Sequence, residues 1–247
     1  MAGTTGVGTI SAVGAGVSGV SLSDTVLVTS KHTWSDSITV PANSVVKISS
    51  SLPAEEAANL PAAVSAWALL NNFSGSAALK AGDVVVQSNG ESAIGLAVSQ
   101  LGKHMGYKVV SLGAGGADAD AKIKEAGGPV KLAIASNSGK PALSLLRALA
   151  VNGTLVVYNG VVESLDVAAG ITVPVASAIF QNSSVRGFDY CSWAAADPAG
   201  YKKAVAAVVE LADSKKITLR SKVFPQADFM QAISLVESTG GPAILKH

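Results

Sequence analysis

One short segment combines the residue types that a diphosphate site needs. Residues 88–95 read Ser-Asn-Gly-Glu-Ser-Ala-Ile-Gly, between a β-branched run at 84–87 and a helical pattern. This is Gly-x-Ser-x-x-Gly, where dinucleotide-binding folds carry Gly-x-Gly-x-x-Gly. In that motif the first glycine allows a tight turn, a small second residue lets the pyrophosphate approach the backbone, and the last glycine lets the helix pack on the strand. The segment therefore predicts an anion site at a helix N-terminus.

Six residues of this loop are predicted to contact the cofactor. They are Asn89, Gly90, Glu91, Ser92, Ala93 and Ile94. An ordinary strand–helix turn is the simplest alternative, and a nucleophile elbow centred on Ser92 is another. The elbow needs a second glycine where Ile94 stands, and its triad needs a late histidine. Only His247 follows, apart from His104 on the same helix, so the diphosphate interpretation is favoured.

The end of the next predicted strand bears on which dinucleotide is bound. An acid at this position holds the ribose diol of NAD, and residues 109–113 contain none. Asp118 follows a glycine run and is better suited to cap the next helix. Ser111, with Lys122 or Lys124 from that helix, is placed to hold a 2′-phosphate. These residues favour NADP(H) over NAD(H).

Composition makes several classes of protein improbable. The 247 residues carry 18 Lys+Arg and 17 Asp+Glu, and 49% are hydrophobic against 14% charged. Such a chain is not typical of disorder, and without a basic excess no nucleic-acid partner is predicted. Cys191 is the single cysteine and the three histidines are far apart, so neither a disulfide nor a metal site is predicted. The uncharged stretches 1–23 and 57–79 are too rich in polar residues, Gly and Pro to be expected to span a membrane.

The elements that must position the loop fall into two groups. In the first third, short apolar runs alternate with Gly, Ser, Asn and Pro, which is typical of a small barrel or sandwich. From Lys80 onward strands and helices alternate, which indicates parallel βαβ units with helices on both faces. The strands are predicted at 8–13, 25–29, 37–40, 44–48, 84–87, 108–112, 131–136, 153–158, 184–189, 217–219 and 243–246. The helices are predicted from 53, at 60–70, 93–105, 118–126 and 141–150, from 198 with Asp197 as its cap, and at 225–236.

The order of the motifs resembles that of the medium-chain dehydrogenase/reductases. Residues 6–14 resemble their glycine-rich strand pair, and 79–87 resemble the entry to their nucleotide-binding domain. Residues 89–100 are similar to the branch with Asn-Ser-Ala-Val-Gly in the phosphate loop, which contains the NADPH-dependent trans-2-enoyl thioester reductases of mitochondrial fatty-acid synthesis. Residues 127–133 and 152–160 resemble the same branch.

The resemblance implies a fold and a domain layout. A doubly wound parallel Rossmann sheet is expected at 73–219, and a partial GroES-like β-barrel from 1–72 together with 220–247. Cofactor and substrate are expected in the cleft between these domains. The family is typically homodimeric, with Rossmann sheets joined edge to edge, and 184–189 is the expected pairing strand.

The resemblance also implies an activity, which is the NADPH-dependent reduction of the C2–C3 double bond of an enoyl thioester. Tyr158, Asn159 and Gly160 join the predicted cofactor contacts on the same basis. An NADPH:quinone or enone oxidoreductase is the main alternative, and a nucleotide-binding homologue with impaired catalysis is another. The family implies the mitochondrial matrix. The cytoplasm is the alternative, because no basic residue precedes Lys31 and no targeting signal is visible.

Several positions depart from the family pattern. The resemblance begins after the opening barrel segment that in enoyl reductases carries a tyrosine assisting proton delivery, so no catalytic residue is assigned. Tyr158, Tyr190 and Trp34 are expected to be packing residues or walls of a site. Ala135 stands where the family has Asn. The connection from the second to the third predicted Rossmann strand, between 112 and 131, is unusually short.

Overall fold

The computed structural model describes residues 5–30, 32–73, 78–112, 119–136, 140–158, 179–239 and 242–246. The chain forms two compact units. One, which we call the continuous unit, is Ser65–Trp193, and the other, the split unit, combines Met1–Val64 with Ala194–His247. The domain boundaries expected from the sequence, at 72/73 and 219/220, remain a prediction.

The secondary structure of the described residues is as follows. The strands are β1 (Thr5–Thr9), β2 (Thr25–Thr29), β3 (Val45–Lys47), β4 (Val84–Ser88), β5 (Lys108–Leu112), β6 (Val130–Ala135), β7 (Leu149–Val157), β8 (Ser184–Gly187), β9 (Lys222–Pro225) and β10 (Ala243–Lys246). The helices are α1 (Ala54–Ala57), α2 (Leu60–Asn72), α3 (Ala93–His104), α4 (Ala119–Ala126), α5 (Lys140–Arg147), α6 (Tyr190–Ala196), α7 (Pro198–Asp213) and α8 (Phe229–Thr239). None of these helices is long and apolar enough to cross a membrane.

The continuous unit is built around a parallel sheet with the order β5-β4-β6-β7-β8. Every residue of β4 is buried, as expected of a parallel strand covered on both faces. Val84 and Val86 of β4 share one core cluster with Leu145 and Leu146 of α5 and with Leu155 of β7. The predicted Rossmann-type sheet is therefore confirmed.

The strand order corrects one part of the prediction. The sequence predicts residues 131–136 as the third Rossmann strand, but β6 pairs with β4 on the side opposite β5. A full Rossmann sheet has the order 3-2-1-4-5-6, so β6 occupies the fourth position and the third is not filled among the described residues. The reason is the short connection, whose described part between β5 and β6 holds the single helix α4.

The boundary between α5 and β7 also differs from the prediction. The sequence predicts a helix through 150 and a strand from 153, because Asn152-Gly153 is a typical turn pair. Instead α5 ends at Arg147 and β7 begins at Leu149. Asn152 adopts a φ of 61°, and the pairing of β6 with β7 shifts register between Val130 and Leu132. The turn pair is thus absorbed as an irregularity within one long strand.

The split unit contains two small sheets. β1, β2 and β3 form an antiparallel sheet in that order, and β9 pairs with β10 in parallel. A helix begins where the sequence predicts it, because the Asp197 side chain accepts a hydrogen bond from the Gly200 amide at 2.9 Å. The buried residues of α7 recur at helical spacing and are Tyr201, Ala204, Val205, Val208 and Ala212. The Tyr201 hydroxyl lies 3.0 Å from Thr29 Oγ1, which joins α7 to β2.

Three strand predictions in the split unit are wrong. The first strand covers Thr5–Thr9 and not 8–13, because its pairing with β2 ends at Thr9 and Thr25. Residues 37–40 and 217–219 are not strands, since neither pairs with another described strand. Ile217 and Leu219 are nevertheless buried, so their alternation reflects packing without a sheet ladder.

Candidate functional site

The predicted diphosphate loop lies at the carboxyl end of β4. The chain continues from β4 to β5 on one side, whereas β6 lies on the other side. The strand order therefore reverses at β4. In open α/β sheets, ligands bind in the crevice outside the carboxyl ends of the strands at this kind of point. The fold thus places the loop where a binding crevice is expected.

Close backbone approach explains both glycines of the loop. A Cβ added to Gly90 would lie 2.4 Å from Cβ of Ser111, on β5. A Cβ added to Gly95 would lie 2.5 Å from the carbonyl oxygen of Asn89 and 2.7 Å from Cα of Gly90. No side chain fits in either place, so the close helix packing predicted for Gly95 is present in the structure. Asn89 itself has a φ of 53°, in the left-handed region that asparagine tolerates well.

Ser92 begins α3 as its N-cap. Its Oγ accepts a hydrogen bond from the Gly95 amide at 3.1 Å, and the residue is buried. Among the described residues, the amides of Ala93 and Ile94 meet no acceptor, as is usual in the first turn of a helix. These N–H groups and the positive end of the helix dipole are available to an anion. Glu91 is exposed beside them and places a negative charge at the same helix end.

A row of hydroxyl groups follows the carboxyl ends of β4, β6 and β7. The Ser88 Oγ accepts a hydrogen bond from the Ser136 amide at 3.0 Å, and both side chains are buried. The Tyr158 hydroxyl lies 3.5 Å from Ser92 Oγ. Burial raises the pKa of the Tyr158 phenol, and hydrogen bonds with Ser92 and Ser136 only partly oppose this. Tyr158 therefore stays a neutral hydrogen-bond donor well above neutral pH.

Gln87 is a site residue that the motif analysis misses. It is 1% exposed, and its Nε2 lies 2.8 Å from the Gly95 carbonyl oxygen, 2.9 Å from Ser99 Oγ and 2.8 Å from Ser111 Oγ. It therefore joins β4, α3 and β5 directly beneath the loop. A signal is present in the sequence, since a lone amide in a Val-Val-Val-Gln strand must find partners when it is buried.

Of the other predicted residues, only some lie beside the loop. Ser111 lies beside Gly90, as described above, which places it next to the loop. Lys122 is exposed on α4, and no described contact brings it to the loop. Asn159 and Gly160 lie outside the described residues. Trp34 is 48% exposed and belongs to the split unit.

Tyr190, also predicted as a packing residue or wall, is half-buried at the start of α6.

The loop fits the diphosphate of a dinucleotide. The amides of Ala93 and Ile94 meet no acceptor among the described residues, and the positions of Gly90 and Gly95 have no room for side chains. Within the described residues, no cluster of His, Cys, Asp and Glu has the composition of a metal site. The sheet and this loop together have the form of a Rossmann-type dinucleotide site.

Comparisons with known proteins extend this conclusion. No protein-family model matches the chain. The chain is 28% identical to the mitochondrial enoyl-[acyl-carrier-protein] reductase of Dictyostelium discoideum, over 97% of this chain and 75% of the relative. It is 25% identical to the Rattus norvegicus enzyme of the same name, over 94% of this chain and 68% of the relative. The human enzyme is 27% identical, over 77% of this chain and 57% of the relative.

Solved structures show the same fold. The enoyl reductase CurK superposes with a TM-score of 0.83 at 19% identity, covering 98% of this chain and 78% of the other. The complex of Etr1p with NADP and crotonyl-CoA superposes with a TM-score of 0.80 at 18% identity, covering 99% and 79%. The Candida tropicalis Etr1p/Etr2p heterodimer gives 0.78 at 18% identity, over 99% and 79%. The chain is thus similar in sequence to mitochondrial enoyl-[acyl-carrier-protein] reductases and similar in fold to enoyl thioester reductases.

Proposed function

We propose that this protein is an NADPH-dependent enoyl thioester reductase. The observation that carries the proposal is the loop at the strand-order reversal, where Gly90 and Gly95 leave the amides of α3 open to a diphosphate. The similarity to mitochondrial enoyl reductases supports the substrate class. A bound reduced nicotinamide supplies the hydride that is added to C3 of the enoyl thioester, and a proton completes the reduction at C2.

Residues of this chain have separate parts in binding the cofactor. The amides of Ala93 and Ile94 hold the diphosphate, since they lie at the N-terminus of α3, where the helix dipole favours an anion. Ser111 holds the 2′-phosphate end, and Lys122 adds a positive charge to it. Tyr158 keeps its proton because of its burial, and donates a hydrogen bond at the carboxyl edge of the sheet. Asn159 and Gly160 are proposed as further cofactor contacts that follow Tyr158.

The test is oxidation of NADPH in the presence of different acceptors, followed by its absorbance. We expect oxidation with a trans-2-enoyl-CoA and little with NADH in place of NADPH. If only quinones or enones accelerate it, the protein is an oxidoreductase of those acceptors. If NADPH binds and no acceptor is reduced, the protein is a nucleotide-binding homologue without this activity.

We also propose that the protein forms a homodimer through the β8 edge of the continuous unit. β8 is the last described strand of the sheet, and large apolar side chains are exposed near it, including Val151 (55%), Phe180 (82%) and Val185 (40%). Sedimentation should give twice the mass of one chain. Val185→Lys should shift the mass toward one chain, and an unshifted dimer would contradict this edge.

We propose the mitochondrial matrix as its compartment, and the relatives whose names carry the word mitochondrial support the organelle. Fractionation of cells that express the full gene product tests this location. Recovery of the protein in the cytosol alone would contradict it.

A further inference from the structure

The least expected group near the loop is the carboxamide of Gln87. It lies on the fully buried strand β4, whose preceding residues are valines. Burying an amide costs free energy unless its polar atoms are hydrogen-bonded. An apolar residue would form this strand without that cost, so the hydrogen bonds of the amide must account for its presence.

The hydrogen-bond geometry fixes how the amide is oriented. The Gly95 carbonyl oxygen, 2.8 Å from Nε2, can only accept. The nitrogen must therefore face the cluster, since the opposite orientation would bring two acceptor oxygens together. The same nitrogen also faces the hydroxyl oxygens of Ser99 and Ser111, and its two protons are shared among these three acceptors.

The hydroxyl protons of the cluster can then be assigned. Ser99 Oγ donates its single proton to the Gly95 carbonyl oxygen at 3.0 Å. Ser111 receives a proton from Gln87, so its own proton is not needed by Gly95 or by Gln87. It reaches Ser99 Oγ at 3.2 Å or turns to an outside acceptor. Because Ser99 Oγ already donates to the Gly95 carbonyl oxygen, Ser111 can turn away without leaving Ser99 unpaired.

We propose that Gln87 is a positioning residue that makes Ser111 a hydrogen-bond donor to the 2′-phosphate of the cofactor. This inference rests on the proposed function, because it assigns the adenosine end of the dinucleotide to the end of β5. The Gln87 amide donates a hydrogen bond to Ser111 Oγ, and the Ser111 proton is thereby directed outward. The buried amide thereby contributes to the preference for a phosphorylated nucleotide without contacting it.

The experiment measures binding of adenosine fragments, so it does not require catalysis. Calorimetry compares 2′,5′-ADP with 5′-AMP for the wild-type protein, Gln87→Met, Ser111→Ala and the double variant. We expect the wild type to prefer 2′,5′-ADP, and Ser111→Ala to reduce that preference by about tenfold, as for loss of a hydrogen bond to a charged group. Gln87→Met should reduce it several-fold, and the double variant should lose no more than Ser111→Ala alone.

Two further variants separate this role from general damage. Thr154→Val removes a buried hydroxyl that bonds Ser184 Oγ at 2.9 Å in the same sheet, and it should leave the preference unchanged. If Gln87→Met does not fold, Gln87→Glu keeps the side-chain length. Its carboxylate would accept the Ser111 proton, so it should also lower the preference.

The possible results distinguish the inference from the proposed function. An unchanged preference in a folded Gln87 variant, or fully additive losses in the double variant, would overturn the inference alone. A wild-type protein that binds neither fragment, or binds both equally, would overturn the NADPH assignment itself.

Discussion

The continuous unit and the split unit differ in how tightly backbone and polar groups are fitted together. In the continuous unit, a Cβ at Gly95 would collide with the backbone, and the buried amide of Gln87 has three partners. In the split unit, a Cβ at Gly8 would meet nothing within 4 Å. The proposed binding loop therefore lies where the backbone has no room for an added side-chain atom.

The largest expected difference between the units comes from adding one methyl group to each. Gly95→Ala should destabilise the protein by about 1–3 kcal/mol, as for overpacking, and should abolish NADPH binding because the loop must move away from α3. Gly8→Ala should be neutral or stabilise by up to about 1 kcal/mol, because alanine is the better strand residue where space is open. Urea unfolding and NADPH fluorescence titration measure both. Equal effects of the two substitutions would refute the contrast.

A second comparison uses the two helix caps. Ser92→Ala and Asp197→Ala each remove a side chain that accepts from a first-turn amide, so each should cost about 1 kcal/mol of stability. Only Ser92→Ala should also weaken NADPH binding, since only α3 is proposed to hold the diphosphate. Thermal unfolding and titration separate the two effects. A similar loss of affinity in Asp197→Ala would argue against a localised site.

A smaller effect is expected at Glu91, where the exposed carboxylate lies beside the proposed diphosphate position. Glu91→Gln should tighten NADPH binding by roughly threefold at low salt, because it removes a repulsion of about 0.3–1 kcal/mol. The gain should shrink as ionic strength rises, which a salt series of the dissociation constant measures. A gain that does not depend on salt would show that the charge is not its cause.

At neutral pH, the smallest effect is expected for Tyr158→Phe, and it concerns the stability of the protein. Burial raises the pKa of Tyr158, so its folded state favours the neutral phenol. Its contribution to stability is fully present below the unfolded pKa of about 10 and is lost as pH rises through the folded pKa. Tyr158→Phe should therefore lose less stability than the wild type above pH 10, as measured by unfolding across alkaline pH. Parallel profiles would show that Tyr158 does not titrate differently in the folded protein.

The sequence predicts local features well where a short pattern encodes them. β2, β5 and β10 are found at their predicted limits, and Asp197 caps its helix as expected. The loop at 88–95 is recognisable because two glycines and a small polar residue stand at the spacing that close approach of a diphosphate requires. The motif does not identify Gln87, because the partners of its side chain include Ser99 and Ser111, which are distant in the chain.

Longer-range features are predicted less well. The alternation at 217–219 suggests a strand, but forming a ladder requires a partner strand, and no local pattern indicates one. The Asn152-Gly153 pair indicates a break, yet β6 and β7 absorb it as a register shift. Long-range pairing also decides the position of β6. The sequence predicts it as the third Rossmann strand, whereas the sheet places it in the fourth Rossmann position.

By itself the sequence determined the turn, the helix cap and the small residues of the loop at 88–95, because turn geometry, helix capping and the need for small side chains act over a few neighbouring residues. Only the tertiary structure decided that Ser111 lies against Gly90 and that Gln87 joins three elements beneath the loop. Those contacts depend on the order and spacing of strands in the sheet, which long-range pairing sets and local propensity does not.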